Sequence, residues 1–317
     1  MDETHLIDRY FRDLGARRGD VALGVGDDAA LLRVPTGAEL VLTTDALIEG
    51  AHFLPGAAAH SLGHRAMAIN LSDIAAMGAT PAWALLSLNL PAADEAWLRE
   101  FADGFGALAA RHNVALVGGN LGRGPLSVTV QLAGLVPMGQ ALRRDRACPG
   151  DCLYVSGCIG DAAQGLLQLG STGGDADAQY LRSRLEYPTP RVALGEALRG
   201  VASACIDISD GLYVDAQRLL RASGCGAALQ IEALPLSDAL RRAAGSDAWQ
   251  RGLRGGEDYE LCFSAAPQFS DRVAELAQTT GQVVSCIGRL CRETGITLRS
   301  GNSVIQFSTS GWDHFRD

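Results

Sequence analysis

The sequence contains no lysine, so all 27 of its basic side chains are arginine. It also has no G-x-x-x-x-G-K-[ST] segment, the phosphate-binding loop in which a lysine reaches the phosphates of a nucleotide. If this chain handles phosphate groups, it must therefore do so with metal ions, arginine side chains and backbone N–H groups.

Other features that the sequence lacks limit its partners. The eight cysteines form no C-x-x-C pair and have no histidine at zinc-ligand spacing. No apolar stretch approaches the roughly 20 residues that span a bilayer, and the N-terminus is charged from its second residue, unlike a secretory signal. We therefore expect a cytoplasmic protein with reduced cysteines and no membrane partner.

The net charge of −9 at pH 7 argues against a nucleic-acid partner, because phosphate backbones select basic surfaces. The same charge does not argue against a nucleotide, because bound Mg²⁺ inverts the sign of an acidic pocket. Apolar residues make up 47% and charged residues 20% of the chain, which is typical of a globular protein.

The length of 317 residues suits two domains of ordinary size. The polar segment RRDRACPGD at 143–151 indicates the border, which gives domains of residues 1–142 and 143–317. The fold class is α/β in its α+β form, with sheets covered by helices on one face. Periodicity predicts helices over residues 4–18, 61–78, 93–112, 160–169 and 210–223, and strands over residues 21–25, 30–34, 40–44, 81–90, 115–117, 126–136, 152–155 and 205–208.

Aspartates recur at the ends of apolar runs, next to glycine or hydroxyl residues. This pattern occurs in GVGDDAALL (24–32), LTTDALIEG (42–50), NLSDIAAMG (70–78) and IDISDGL (206–212). Carboxylate and hydroxyl oxygens are the ligands that hard cations such as Mg²⁺ prefer. Aspartate is also an ordinary turn residue, so a purely structural interpretation stays open.

Two of these segments are hard to explain by structure alone. Asp27 and Asp28 repel each other, and a turn needs only one of them. Asp73 lies within a predicted helix, in an otherwise apolar run, and shares a helix face with Asn70. Aspartate is unfavourable in mid-helix unless it is solvated or binds a ligand.

The segments TTD (43–45) and DISD (207–210) fit ordinary secondary structure in part. Threonine favours strands, and Ser209 is suited to cap a helix that begins at Asp210. That cap leaves Asp207 unexplained at the end of an apolar strand. A metal-bound phosphate would use all three residues together with the positive end of the helix.

Further segments have both interpretations. GGNLGRG (118–124) predicts a glycine-rich loop that carries Arg123 and backbone N–H groups. GGEDYELCF (255–263) places three acids just before an apolar strand. These acids either bind a ligand or form a solvated turn. Arg143, Arg144 and Arg146 in the border segment form a solvated face, or one of them binds a phosphate. His52 is either a surface histidine or a ligand contact. Trp312 is either a terminal core residue or a side chain that stacks on a ligand.

In order, GVGDDAALL, TTDALIEGAHF, NLSDIAAMGA, GGN-x-x-RG, DISDGL, GGEDYEL and GWDHF resemble the thiamine-monophosphate kinases. These enzymes share a superfamily with aminoimidazole ribonucleotide synthetase and selenophosphate synthetase, and GGEDYEL and GWDHF are the more kinase-specific segments. The resemblance covers nearly the whole chain. It implies an N-terminal sheet domain that forms a homodimer and a C-terminal α/β domain that completes the active site. It also implies Mg²⁺-dependent phosphorylation of thiamine monophosphate by ATP, which gives thiamine diphosphate.

The resemblance also implies ligand roles for individual residues, with no covalent or acid–base catalytic residue. The residues that would bind several Mg²⁺ ions are Asp28, Thr43, Thr44, Asp45, Asp73, Asp207 and Asp210. Those that would contact ATP are Gly119, Asn120, Arg144 and Ser209. Those that would hold the thiamine moiety are His52, Glu257 and Trp312.

One position departs from the family, whose loop usually reads GGD-T-T-RG with its aspartate in the metal cluster. This chain has Asn120 there, so we expect one metal ion to bind more weakly or to depend mainly on Asp45 and phosphate. Two alternatives stay open: another ATP-using enzyme of the superfamily, which activates an amide or a selenide, and a non-catalytic metal- or nucleotide-binding protein.

Overall fold

The computed structural model describes residues 3–169 and 175–309. The chain divides into two compact units, of which the first comprises Met1–Ile74 and Ala79–Gly139, and the second Ala75–Gly78 and Gln140–Asp317. No sequence pattern indicated that the short segment Ala75–Gly78 belongs to the second unit. The domain limits 1–142 and 143–317 remain a prediction.

The first unit is built around a four-stranded sheet with the strand order β3-β6-β4-β5. Strands β4 and β5 are parallel and are connected by α3, whereas the other neighbours are antiparallel. Strands β1 and β2 form a separate antiparallel pair. The elements are α1 (Glu3–Tyr10), β1 (Val21–Leu23), β2 (Leu31–Leu32), β3 (Ala38–Ile48), α2 (Ala59–Ala76), β4 (Thr80–Leu90), α3 (Glu95–Arg111), β5 (Ala115–Arg123) and β6 (Ser127–Pro137).

The two faces of this sheet differ in polarity and burial. Successive side chains of a strand point to opposite faces, and Thr43 of β3 lies on the face that α2 covers, where its hydroxyl donates to Asp73. The opposite face carries four large apolar side chains with substantial exposure. This open face comprises Leu40 (45% exposed), Leu42 (69%), Ile48 (44%) and Leu85 (39%).

Helices α2 and α3 approach each other closely because glycine lies at both sides of their contact. A Cβ atom on Gly63 of α2 would fall far inside van der Waals contact of the Phe101 carbonyl oxygen. A Cβ atom on Gly104 of α3 would meet the His60 carbonyl oxygen in the same way. The buried side chains of α3 follow helical spacing, with Leu98, Phe101, Phe105 and Leu108 facing inward.

We expect Gly63→Ala to lower the free energy of unfolding of the first unit by roughly 2 kcal/mol. Alanine improves helix propensity by about 1 kcal/mol, but overpacking against a backbone that cannot move away costs more, about 1–3 kcal/mol or above. Urea denaturation measures the difference. The control is Gly19→Ala, since a Cβ atom at Gly19 meets nothing within 4 Å. Equal stability of Gly63→Ala and the wild type would contradict the close packing of the helices.

Two sequence predictions in the first unit are wrong. The N-terminal helix ends at Tyr10 instead of residue 18, because the following chain turns and Gly15, with φ 86°, pairs with Ala115. The segment 118–124 is not a loop, because β5 continues through it to Arg123. Glycine in a strand often marks the close approach of another backbone, and Gly119 is required there, since a Cβ atom would collide with the Leu86 carbonyl oxygen.

The second unit contains a seven-stranded sheet with the order β13-β12-β9-β11-β7-β10-β8. Neighbouring strands are antiparallel except for the parallel pair β9 and β12. The elements are β7 (Cys152–Ser156), α4 (Asp161–Leu166), α5 (Ala176–Glu186), α6 (Val192–Ala197), β8 (Ala204–Ile208), α7 (Leu212–Ser223), β9 (Gly226–Gln230), α8 (Asp238–Ala244), α9 (Ala248–Arg254), β10 (Glu260–Ala265), α10 (Ser270–Thr279), β11 (Val284–Cys291), β12 (Gly295–Ser300) and β13 (Ser303–Ile305).

The main core of the second unit lies on one face of this sheet. Leu153 and Val155 of β7 and Ile206 and Ile208 of the edge strand β8 are at most 1% exposed and belong to one cluster with Leu219 of α7. Both units thus combine helices with a sheet, as the sequence predicts. None of the described helices is long and apolar enough to cross a lipid bilayer.

Candidate active site

In the first unit, two residues predicted to bind metal are in direct contact. The Thr43 hydroxyl on β3 donates a hydrogen bond to Asp73 Oδ2 on α2. Asp45 lies two positions further along β3 and therefore on the same face as Thr43. Helix and strand together place two carboxylates and one hydroxyl on this side of the sheet.

Thr44 and Asn120 lie on the opposite face from Thr43. The Thr44 hydroxyl donates to the Val130 carbonyl oxygen at 3.1 Å, and the exposed Asn120 is paired with Ser87 of β4. These two predicted ligands are on the two edge strands of the sheet, separated by β6 and β4. Three strand spacings correspond to about 14 Å, so one chain does not bring Thr44 and Asn120 to a common metal ion.

The remaining predicted residues of the first unit lie in loops. Asp28 is exposed in the connection between β1 and β2, and its backbone N–H donates to Asp27 Oδ1 at 2.8 Å. Asp27 thus serves a local turn, as the structural interpretation expects, while Asp28 extends to the surface. His52 follows β3, and its Nδ1 accepts from the Ile48 N–H at 3.1 Å. This bond places the proton of a neutral His52 on Nε2.

In the second unit, the predicted ligands Asp207, Ser209 and Asp210 follow one another at the end of β8. The prediction of a helix that begins at Asp210 with Ser209 as its cap is wrong. Helix α7 begins at Leu212, and its N-terminal cap is Gly211 with φ 114°, which a side-chain-bearing residue rarely adopts. Ser209 and Asp210 therefore form a turn before the helix.

A carboxylate that sequence reasoning missed holds this turn. Asp215 of α7 is 1% exposed, and its Oδ2 accepts the N–H groups of Ser209 at 3.0 Å and Asp210 at 2.9 Å. Burial raises the pKa of Asp215 to about 6, although the bond from the Asp210 N–H opposes the shift. The signal was an aspartate at an apolar position of the helix, between Tyr213 and Ala216, which are both buried.

Arg218 lies beside the same two acids. Its Nη1 donates to Asp210 Oδ2 and to Asp215 Oδ1, the latter at 2.7 Å. Arg218 thus neutralises part of the negative charge at a predicted Mg²⁺ ligand. A cation that binds Asp210 has to share or replace this contact.

The GGEDYEL segment passes directly beside this turn. The Glu257 N–H donates to the Ser209 carbonyl oxygen at 2.8 Å, and the Tyr259 N–H donates to the Ile208 carbonyl oxygen at 2.9 Å. A predicted ATP contact, Ser209, and a predicted thiamine contact, Glu257, are therefore joined by a backbone hydrogen bond. Gly256 makes this approach possible, because a Cβ atom there would collide with the Ser209 carbonyl oxygen.

The other two acids of this segment do not form the solvated turn that was the alternative. Asp258 and Glu260 are 1% and 0% exposed. Asp258 accepts the N–H groups of Gly160 at 2.6 Å and Ala162 at 3.3 Å, at the beginning of α4. Burial raises the pKa of the Asp258 carboxyl above its usual range, and the Gly160 N–H opposes that shift.

Glu260 is the centre of a buried ion network. Arg191 donates to both of its carboxylate oxygens at 2.6 and 2.5 Å, Arg184 donates at 2.8 Å, and the Ser156 hydroxyl donates at 2.6 Å. Two arginines and one hydroxyl satisfy this carboxylate, so Glu260 has a structural role. Its partners lie about 70 to 100 positions earlier in the chain, and no local pattern reveals them.

Arg144 and Trp312 are the two predicted residues that remain. Arg144 is exposed, while its carbonyl oxygen accepts the Ser223 hydroxyl at 2.7 Å. This bond attaches the border segment to the end of α7 but leaves the guanidinium at the surface. Trp312 lies outside the described residues.

The donor atoms in the first unit fit a magnesium ion that is bound together with phosphate. Within residues 3–169 and 175–309, no three Asp, Glu, His or Cys side chains are close enough to form a metal cage. Mg²⁺ seldom needs such a cage, because it usually takes one or two protein carboxylates and completes its shell with water and substrate phosphates. Asp73 with Thr43, and Asp45 on the same face, provide oxygen donors of this kind.

Comparison with known proteins assigns the chain to a family. Residues 26–136 match the N-terminal domain, and residues 148–301 the C-terminal domain, of the AIR synthase related proteins. The thiamine-monophosphate kinase of Salmonella typhimurium is 44% identical over 319 residues, which cover 99% of this chain and 98% of that protein. The chain belongs to the thiamine-monophosphate kinase family.

Solved structures of the thiamine-monophosphate kinase family share this fold. The enzyme from Stenotrophomonas maltophilia K279a is similar with a TM-score of 0.86 and 45% identity, covering 90% of this chain and 93% of that one. AaThiL complexed with AMPPCP and TMP is similar with a TM-score of 0.79 and 31% identity, covering 92% of both chains. Membership of the family confirms the resemblance found in the sequence and the two-domain fold. The roles of individual residues stay predictions.

Proposed function

We propose that this chain transfers the γ-phosphate of ATP to thiamine monophosphate, giving thiamine diphosphate in the last step of its biosynthesis. The full-length similarity to thiamine-monophosphate kinases supports this function, as does the similarity to AaThiL complexed with AMPPCP and TMP. The structural observation that carries it is the bond from the Glu257 N–H to the Ser209 carbonyl oxygen. It holds the predicted substrate residue next to the predicted nucleotide residue.

The acceptor needs no general base. The second pKa of a phosphate monoester is about 6, so thiamine monophosphate is largely a dianion at neutral pH and already nucleophilic. The difficulty is electrostatic, because the dianion and the ATP polyphosphate repel each other and most of the predicted metal ligands are carboxylates. The chain therefore has to align two anions and shield their charge, and we expect no catalytic base for this task.

Several Mg²⁺ ions held by Asp28, Thr43, Thr44, Asp45, Asp73, Asp207 and Asp210 would neutralise phosphate charge and align donor and acceptor. The protein contributes the fixed positions of these oxygens. Thr43 orients Asp73 by its hydrogen bond. The buried Asp215 fixes the backbone of Ser209 and Asp210. Gly119, Asn120 and Arg144 are assigned to ATP.

Transfer is direct, from ATP to the acceptor, without a phosphoenzyme. The experiment follows ATP labelled in its γ-phosphate, with and without thiamine monophosphate. All of the transferred label should appear in thiamine diphosphate, with inversion of configuration at phosphorus. Label bound covalently to the protein during turnover, or retention of configuration, would contradict direct transfer. Label found only in inorganic phosphate would reject the kinase function.

His52, Glu257 and Trp312 are assigned to the thiamine moiety. A carboxylate suits a ligand with a cationic thiazolium ring, and an indole ring stacks favourably on such a cation. The protonated Nε2 of a neutral His52 offers a hydrogen-bond donor, because its Nδ1 accepts the Ile48 N–H.

We infer a homodimer that forms through the open face of the first unit. Leu40, Leu42, Ile48 and Leu85 expose apolar side chains on one face of a single sheet, and large exposed apolar surface is typical of interfaces. The edge strands β3 and β5 carry Thr44 and Asn120, which one chain keeps apart. In a symmetric dimer the two open faces would pack against each other, with the β3 edge of each protomer next to the β5 edge of its partner. This arrangement would bring Thr44 of one protomer close to Asn120 of the other.

We expect Leu42→Glu to convert the dimer to monomers and to raise its dissociation constant at least about 100-fold. Each dimer would bury two copies of the new charge, and a buried unpaired charge costs several kcal/mol. Sedimentation velocity at micromolar protein concentration measures the fractions of monomer and dimer. Leu54→Glu is the control, because Leu54 is 55% exposed but lies outside the sheet. A wild type that is monomeric, or a Leu42→Glu variant that still dimerises, would contradict this interface.

We also propose that the enzyme works in the cytoplasm. All eight cysteines are free, and reducing compartments keep thiols in this state. ATP is a substrate of the proposed reaction, which agrees with the same location.

A further inference from the structure

The backbone at the predicted thiamine contact has an unusual conformation. Glu257 and Tyr259 both have positive φ angles, 70° and 50°. Side chains with a Cβ atom seldom adopt this region, and a bulky tyrosine does so least readily. Such residues persist where the surrounding contacts leave no alternative, and they cluster at ligand sites.

The surrounding contacts here are a buried acid on each side of Tyr259. Asp258 is anchored by the Gly160 and Ala162 N–H groups. Glu260 is anchored by the Arg191 guanidinium at 2.6 and 2.5 Å. The chain between these two anchors cannot relax without breaking a buried charged hydrogen bond, so it keeps the left-handed conformation.

One consequence of this conformation is a contact between the two left-handed residues. The Tyr259 hydroxyl donates a hydrogen bond to Glu257 Oε2 at 3.2 Å. The tyrosine is only 7% exposed, so its ring is fixed by packing. We propose that Tyr259 is a positioning residue, which orients the Glu257 carboxylate for the cationic heteroaromatic part of the substrate. This inference rests on the proposed function of Glu257 in substrate binding.

The physical advantage is preorganisation. A glutamate side chain has three rotatable bonds, and ordering such a side chain at binding reduces affinity. A hydrogen bond from a fixed phenol selects one carboxylate orientation before the substrate arrives. The effect should act on substrate binding and leave the phosphoryl-transfer step unchanged.

The test uses Tyr259→Phe in the full chain, which removes one oxygen atom and keeps the ring. The matched control is Tyr154→Phe, because Tyr154 is 6% exposed and its hydroxyl also makes a 3.2 Å bond, to Ser270. We expect Tyr259→Phe to raise the Kd of thiamine monophosphate, measured by calorimetry without ATP, about tenfold. Its KM should rise in parallel, while kcat and the KM for ATP stay within about twofold. The control should change none of these values.

A double-mutant cycle with Glu257→Ala distinguishes positioning from simple packing. If Tyr259 acts through Glu257, Tyr259→Phe should have no further effect on the Kd in the Glu257→Ala background. Additive effects of the two substitutions on the Kd of thiamine monophosphate, or an unchanged Kd in Tyr259→Phe, would overturn the inference. A fall in kcat and a rise in the KM for ATP as large as the change in Kd would also overturn it. An unchanged Kd in Glu257→Ala would also overturn it, while the kinase function would stand. A wild type that does not bind thiamine monophosphate would instead reject the proposed function.

Discussion

Replacing Asp73 by asparagine is expected to lower kcat at least about 100-fold, which corresponds to roughly 2.7 kcal/mol of transition-state stabilisation. Asparagine keeps an oxygen that accepts the Thr43 hydroxyl, so the contact between α2 and β3 survives. The substitution removes the negative charge that Mg²⁺ would share at this position. The expected loss is therefore in activity, with little change in the free energy of unfolding.

The measurement is steady-state kinetics over a range of Mg²⁺ concentrations, together with urea denaturation. The Mg²⁺ concentration for half-maximal activity should rise in Asp73→Asn. Asp103→Asn is the control, because Asp103 is an exposed acid on α3 of the same unit. Near-normal activity of Asp73→Asn at modest Mg²⁺ concentration would contradict the prediction that Asp73 binds Mg²⁺.

Replacing Glu260 by alanine is expected to destabilise the second unit by about 3–5 kcal/mol. Arg184 and Arg191, with side chains 12% and 11% exposed, would lose their shared carboxylate. Breaking a buried ion network by removal of one partner is costly, because the remaining charges stay desolvated. Arg191 would keep its bond to Gln282 Oε1 at 2.5 Å, but this neutral partner does not replace the lost charge.

Hydrogen–deuterium exchange of peptides from β7 and β10 locates this loss in the second unit, and urea denaturation gives its size. Glu275→Ala is the matched control. Glu275 pairs with Arg272 at 2.6 Å in α10, but their side chains are 62% and 51% exposed. Exposed pairs contribute about 0–1 kcal/mol, so the control should be nearly neutral. Equal effects of both substitutions would contradict the structural role of Glu260.

Local sequence patterns pointed to those candidate site residues that stand out within a single element. Asp207 at the end of an apolar strand and Asp73 within a buried helix were visible because each breaks the polarity of its element. The strand over residues 40–44 was predicted too short, since β3 extends from Ala38 to Ile48. Its full length puts the TTD segment inside the strand, where alternation sends Thr43 and Thr44 to opposite faces.

The parts that depend on distant residues could not be predicted from one sequence. The glycine-rich segment with Asn120 looked like a loop, but pairing with β4 extends β5 through it. For Asp258 and Glu260 the sequence left a solvated turn open as an alternative, because their partners are distant: the beginning of α4 and two arginines on other segments. Tertiary hydrogen bonds override the local turn propensity of Gly and Asp in both cases.

The most direct test of the kinase function is nucleotide release coupled to product analysis. Purified enzyme, ATP and Mg²⁺ are incubated with thiamine monophosphate, with thiamine, or without an acceptor, and ADP and thiamine diphosphate are quantified. We predict one thiamine diphosphate for each ADP with thiamine monophosphate, and neither product without it. ADP release that does not depend on thiamine monophosphate, or no thiamine diphosphate at all, would contradict the function proposed here.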